Sequence, residues 1–137
     1  IAALAATVVR AGASPVPVRP GGLGDTIRQA NGQLPHDSAV LVSLGDEPEV
    51  PAALVTAVLA ARCPADDRWI QPVLDHDHDR AGHPVLVGRN ARWLLTRLHG
   101  DRGLACLSEA APFRHPVAVP ELPRDVDTLG DLLALPR

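Results

Sequence analysis

The chain has no tyrosine and no methionine, one phenylalanine and two tryptophans, so aromatic residues make up only 2% of its 137 positions. Its core must therefore be packed from Val, Leu, Ile and Ala. Lysine is missing as well: all thirteen basic residues are arginine, which a G+C-rich coding sequence explains without any functional demand. Cysteine is confined to Cys63 and Cys106, with no C-x-x-C pairing, which excludes a zinc ribbon and a redox dithiol and leaves a reduced, cytoplasmic setting as the expectation. The apolar start, Ile1 to Val9, is too short to span a bilayer and has no basic segment before it, so no membrane association is expected. A net charge of −3 and a pI near 6.0 exclude the basic face that a nucleic-acid binder needs.

What is present is a globular composition, 46% hydrophobic, in one domain over residues 1–137. A chain of this length buries roughly two-thirds of its unfolded surface. Ile1 to Ala11 reads as a helix stopping at Gly12. Gly21-Gly22-Leu23-Gly24 is a turn, with Asp25 or Thr26 as a cap for a helix carrying Ile27 to Leu34. Residues 39–44 form an uncharged run that reads as a strand buried on both faces. Pro51 suits the start of a helix with Leu54, Val55, Val58 and Leu59 as its stripe. Further strands are expected at Trp69–Leu74, broken or ended by Pro72, at Pro84–Val87 and at Pro116–Val119. Helices are expected at Ala91–Leu98, Leu104–Ala110 and, behind Thr128, Leu129–Leu135. This alternation predicts an α/β fold, a three-layer α/β/α sandwich with a mostly parallel central sheet.

Ala39-Val40-Leu41-Val42-Ser43-Leu44 ends abruptly in Gly45-Asp46. That puts a carboxylate at the carboxyl end of a strand, where open α/β sheets hold their ligands, and where it can hold Mg²⁺ against a phosphate. Asp125 and Asp127 are two apart, so in an extended segment both carboxylates face one cation; the alternative is that Asp127 or Thr128 caps the last helix. The tract Asp75-His76-Asp77-His78-Asp79 offers His-x-His, yet it is charged throughout and joins two apolar runs, so it reads as a solvated loop rather than a zinc site. Gly100-Asp101-Arg102-Gly103 reads as a link between helices, its Asp a cap for the second. No nucleophile elbow of the form G-x-S-x-G occurs, and no covalent intermediate is implied.

Four elements stand in one order: L-V-S-L-G-D-E-P at 41–48, A-G-H-P-V-L-V-G-R at 81–89, G-D-R-G at 100–103 and D-V-D-T at 125–128. From about Gly21 to Leu135 the chain resembles the molybdenum-cofactor nucleotidyltransferases, with A-G-H-P-V nearest the cytidylyltransferase-like branch. The resemblance implies a Rossmann-like, nucleotide-binding, Mg-dependent transferase that moves CMP or GMP from a nucleoside triphosphate to molybdopterin and releases pyrophosphate. Mg is then the cofactor, and the partners are the triphosphate, the phosphorylated pterin and a molybdoenzyme or accessory protein. It makes Asp46 catalytic and a metal ligand. Asp127, ahead of Asp125, is the second metal-binding residue. Gly82 and His83 become a loop beside the substrate. The Gly-rich turn becomes the entry to a helix lining the site, on which Arg28 meets an anionic substrate or is simply a surface residue. The family's opening loop, L-A-A-G-x-S-x-R-M-G-x-x-K, has no counterpart, and its phosphate-binding Lys has none either. The chain is thus expected to be the C-terminal two-thirds of such a domain. Two other readings stay open: a related transferase acting on another phosphorylated metabolite, and a non-catalytic binding or accessory remnant of the fold.

Overall fold

The computed structural model describes Val9, residues 12–111 and residues 113–135; the helix expected over residues 1–11 falls, Val9 apart, outside the described residues. Among the described residues five strands make one sheet: β1 (Val40–Val42), β2 (Trp69–Leu74), β3 (Asp77–Ala81), β4 (Val85–Val87) and β5 (Arg114–Val119). β1 pairs antiparallel with β4, β4 pairs antiparallel with the first half of β2, β3 pairs antiparallel with its second half, and β5 runs parallel along the other side of β2.

The sheet is therefore mixed and mostly antiparallel, which corrects the expected parallel one. The cause is the His-Asp tract. Instead of a loop, Asp75-His76 is a tight turn, and the chain folds straight back as β3 and then β4 against β2. Between β3 and β4, Gly82 N–H donates to the Pro72 carbonyl at 3.0 Å. Pro72 consequently interrupts nothing: it is buried in mid-strand, and its missing donor falls opposite the break between β3 and β4. The run at 39–44 is also corrected, because its strand is short and lies at an edge among the described residues, with Leu41 37% exposed.

Alternation along the strands gives the sheet two buried faces. Trp69, Val85 and Val87 point to one face, under α1 (Leu23–Asn31), a 3₁₀ helix (Arg89–Arg97) and α3 (Ala105–Ser108), and meet Leu94, Leu95, Leu98, Leu104 and Leu107. Ile70 and Leu86 point to the other, under α2 (Ala52–Ala60), where they meet Leu54 and Val58. Only those two of the four expected stripe residues of α2 are buried; Leu59 faces out. Full burial of side chains of this size stabilises the fold by about 1.5–3 kcal/mol each. The last helix, α4 (Leu129–Ala134), starts as expected at Thr128. Its hydroxyl accepts from Asp131 N–H, and the Asp131 carboxylate accepts from Thr128 N–H.

Two local devices hold the connections. Arg92, 5% exposed and on the 3₁₀ helix, donates to Asn31 Oδ1 and to the Asn31, Pro35 and Ser38 carbonyls. At the other end of α1, glycine is required by close approach. A Cβ on Gly22 would lie 2.3 Å from the Gly100 carbonyl carbon and oxygen, and Gly24 N–H donates to that oxygen at 2.9 Å. α1 accordingly begins at Leu23, earlier than its expected caps, and Asp101 packs on Gly22 instead of capping α3.

Replacing Arg92 with Met removes the donors and leaves several buried oxygens unpaired, so unfolding by urea should show a loss of about 3 kcal/mol. A second expectation concerns acid. The Arg62 guanidinium, 3.0 Å from Asp66, holds the buried Asp66 carboxyl below its ordinary value. A carboxyl with a depressed folded-state pKa adds stability above its unfolded pKa, about 3.9, and loses it as pH falls through the folded value. Asp66→Asn, which tolerates the left-handed backbone there (φ 53°), should therefore lower Tm at pH 7 and leave it closer to the parent's near pH 3.

Candidate functional site

Gly82, His83 and Pro84 form a ridge where the returning strand breaks; the His83–Pro84 peptide is cis. A cavity opens on each side of it, and both are lined by Asp79, Ala81, Gly82 and His83. The first, about 380 Å³, is completed by Leu44 and Glu47 from the turn after β1 and by Leu122, Pro123 and Asp125 from the segment before α4. The second, about 520 Å³, lies between the sheet and α3 and reaches Gln71, Val85, Ser108 and Arg114. Gly82 lets the ridge sit close to its neighbour, since a Cβ there would meet Leu122 Cδ2 at 2.9 Å.

The first cavity is acidic on balance, with Glu47, Asp79 and Asp125 set against Arg80 in its lining. Val126 N–H donates to the Asp46 carbonyl at 2.8 Å and ties the Asp46–Glu47 turn to the Asp125–Asp127 segment. Glu47 is 7% exposed, and His83 Nδ1 lies 3.2 Å from its Oε1. Burial pushes the Glu47 carboxyl up, against the pull of the His83 imidazole, and the carboxylates of Asp125 and Asp46 push it further in the same direction. Its Oε2 is buried with no hydrogen-bond partner among the described residues. Such an oxygen is a vacant acceptor for a cation or a donor. Among the described residues no group of three or more His, Cys, Asp or Glu stands close enough to hold a metal ion. The donor set is nonetheless all oxygen, the kind that suits Mg²⁺ or Mn²⁺ rather than zinc.

Of the residues singled out in the sequence, the structure brings Gly82, His83 and Asp125 into one cavity wall, with Asp46 between two residues of that wall. Asp127 lines neither cavity and stands beside the α4 cap, and Arg28 lines neither either. Arg28 pairs instead with Asp25 one turn earlier, at 3.0 Å, and that guanidinium, with Gly100 N–H, holds the Asp25 carboxyl below its usual value. The Gly-rich turn packs on the 100–103 loop, leaving its close-approach glycines to a protein contact. In the His-Asp tract, His76 pairs with Asp75 in solvent, while Asp79 reaches the walls of both cavities. Two residues went unnoticed in the sequence. Glu47 is a second carboxylate directly after Asp46. Gln71 is the single polar position in an otherwise apolar strand, a pattern that could have flagged it.

The profile of the family described as MobA-like NTP transferase domain matches residues 2–117. No curated protein matches the chain. Among solved structures, Rv0371c of Mycobacterium tuberculosis H37Rv in complex with manganese superposes with a TM-score of 0.66 at 28% identity, covering 94% of this chain and 72% of that one. A second structure of Rv0371c from the same strain gives 0.64 at 27%, covering 94% and 69%. Its homologue from Mycobacterium sp. strain JC1 gives 0.66 at 23%, covering 94% and 67%, a likeness of fold.

If the His83–Glu47 contact carries the ridge, its two ends are energetically coupled. In a double-mutant cycle of His83→Ala and Glu47→Gln, read by chemical denaturation, Glu47→Gln should cost less once His83 is gone. The coupling expected is about 1 kcal/mol.

Proposed function

From its membership of the MobA-like NTP transferase family, to which the chain belongs, we propose that it is a divalent-cation-dependent nucleotidyltransferase that transfers CMP or GMP from the triphosphate to molybdopterin. The observation that carries this reading is the acidic cavity at the carboxyl end of β1. Two loops far apart in sequence, joined by the Val126–Asp46 hydrogen bond, bring Glu47 and Asp125 to the wall beside the Gly82–His83 ridge, with Asp46 next to Glu47 in the same turn. A reaction at phosphorus needs such a place. An oxygen of the acceptor's phosphate attacks the α-phosphorus in line, the bond to the β-phosphate breaks, and pyrophosphate leaves.

Asp46 and Asp125 are the ligands we assign to the cation, with Asp127, two residues beyond Asp125, as a further candidate. The manganese in the Rv0371c complex supports a divalent ion in this fold, and Mg²⁺ shares its preference for oxygen. When bound, such an ion neutralises the charge that grows on the α-phosphate oxygens. The chain's own contribution is positioning. The backbone bond to Val126 fixes the Asp46 turn, His83 fixes Glu47, and Gly82 lets a substrate lie against bare backbone. The A-G-H-P-V element favours the pterin acceptor over another phosphorylated metabolite.

The direct test is pyrophosphate release by the protein with molybdopterin, Mg²⁺ or Mn²⁺, and CTP or GTP in turn. Asp46→Asn keeps the side-chain size and removes a charge, and should cost on the order of 10²-fold or more in rate. Because Asp46 is exposed beyond the strand, its stability should change by about 1 kcal/mol or less. Asp125→Asn and Asp127→Asn should act in the same direction, whereas His76→Ala and His78→Ala should leave activity intact. Full activity in Asp46→Asn, or collapse in the two His variants, overturns the assignment.

A further inference from the structure

Gln71 lines the second cavity, and its side-chain amide nitrogen has no acceptor among the described residues. Gln71 is 3% exposed, and its Oε1 accepts from the indole Nε1 of Trp69 at 2.7 Å. An indole N–H can only donate, so this bond fixes which end of the amide faces which way. Oε1 must meet Trp69, and Nε2 cannot exchange places with it. Trp69 is itself fully buried in the sheet, paired on both sides, so the lock is rigid. The Nε2 so fixed is buried with no acceptor among the described residues. A buried N–H group without a partner is costly, and the space that can bring it one is the cavity Gln71 lines.

The rest of that cavity narrows the chemistry. At about 520 Å³ it is of ligand size, within the roughly 300–1,000 Å³ common for small-molecule sites. Val85 and Leu104 give it apolar walls, Ser108 a hydroxyl, and Asp79 and Glu109 carboxylates that accept hydrogen bonds. Arg114 is the single arginine against those two acids, so the lining does not favour an anion. A fixed donor beside acceptors on apolar walls is complementary to a neutral, flat group with a carbonyl oxygen next to N–H donors. That is the edge of a lactam or cyclic imide.

We infer that the cavity between β2 and α3 is a subsite for such an amide-edged ring, with Gln71 as the residue that recognises its carbonyl. Gln71 is a specificity residue, and Trp69 positions it. The subsite shares Asp79, Ala81, Gly82 and His83 with the acidic cavity, so a ring seated there lies next to the transfer site. Naming that ring as the head group of the acceptor rests on the transferase reading; the binding itself does not.

The chain has three glutamines, Gln29, Gln33 and Gln71, and the first two have their side-chain amides bonded to Arg19 and Pro17. Protein labelled with ¹⁵N on glutamine alone should therefore show three side-chain amide pairs. Titration with pterin and with uracil, without nucleotide or metal, should move the Gln71 pair and leave the other two in place. Gln71→Glu keeps an acceptor for Trp69 but replaces the donor, and should weaken pterin binding at least tenfold by calorimetry. Trp69→Phe frees the amide to turn over and should weaken binding less. Benzoate is the anionic control. If benzoate moves Gln71 while pterin and uracil do not, the lining selects anions and the inference fails. If no probe moves it, the amide holds only water and the inference fails too. If Gln71→Glu does not fold, the parent's titration still decides. A protein that binds pterin through Gln71 yet releases no pyrophosphate keeps this subsite and loses the transferase reading, so the two failures are separable.

Discussion

A single buried guanidinium decides where much of this molecule sits. Arg92 has no carboxylate partner among its hydrogen bonds; its charge is met by one side-chain oxygen and three backbone carbonyls. Those oxygens belong to the end of α1 and to the loop that leads into β1. The planar fork of arginine satisfies several acceptors at fixed angles, which an ammonium on a flexible stem does not. The loop is thereby held against the 3₁₀ helix, and β1 starts from a defined place. Everything after β1, including the Asp46 turn, inherits that placement. With one neighbouring strand among the described residues and a half-exposed face, β1 would otherwise be weakly fixed.

From there the site is assembled by three unrelated pieces of chain meeting at a break in a strand. The Asp46–Glu47 turn, the Gly82–His83 ridge and the segment around Asp125 have no sequence proximity. A backbone hydrogen bond and one imidazole–carboxylate contact join them. The outcome is a cleft with two chemically opposite halves. One side has a vacant acceptor, Glu47 Oε2, and the other a vacant donor, Gln71 Nε2. These are the two buried side-chain atoms left unpaired among the described residues, and they belong to residues that line the two cavities sharing the ridge. The other buried side-chain nitrogens and oxygens among the described residues have hydrogen-bond partners.

The primary sequence carried a good part of this. Gly45-Asp46 after an apolar run, the Gly82-His83 element and the Thr128 cap are local patterns, and local geometry realises them. The direction of the sheet was also written in the sequence, though in a feature easily overlooked. Ten residues separate Leu74 from Val85, fewer than the dozen or more a parallel crossover needs, so the return had to be antiparallel. Arg28 had its partner Asp25 at the spacing of one helical turn. The Arg92 cluster was not legible, because backbone carbonyls have no sequence signature and the contacts span about sixty residues. The Gln71 lock needed the two-residue strand period to be applied to a polar pair instead of an apolar one.

β2 is paired along its whole length on one side by β5, 45 positions later from Trp69 to Arg114, and on the other by the β3–β4 return that follows it directly. This asymmetry has a consequence for synthesis of the chain. As the polypeptide leaves the ribosome, β2, β3 and β4 can form a local hairpin at once. The other edge of β2, carrying the Trp69 and Gln71 backbone, stays open until residues 114–119 emerge. For that interval an apolar strand offers unpaired amides and carbonyls to any neighbouring chain. Pro72 does not blunt that edge, because its missing donor faces the β3–β4 side instead.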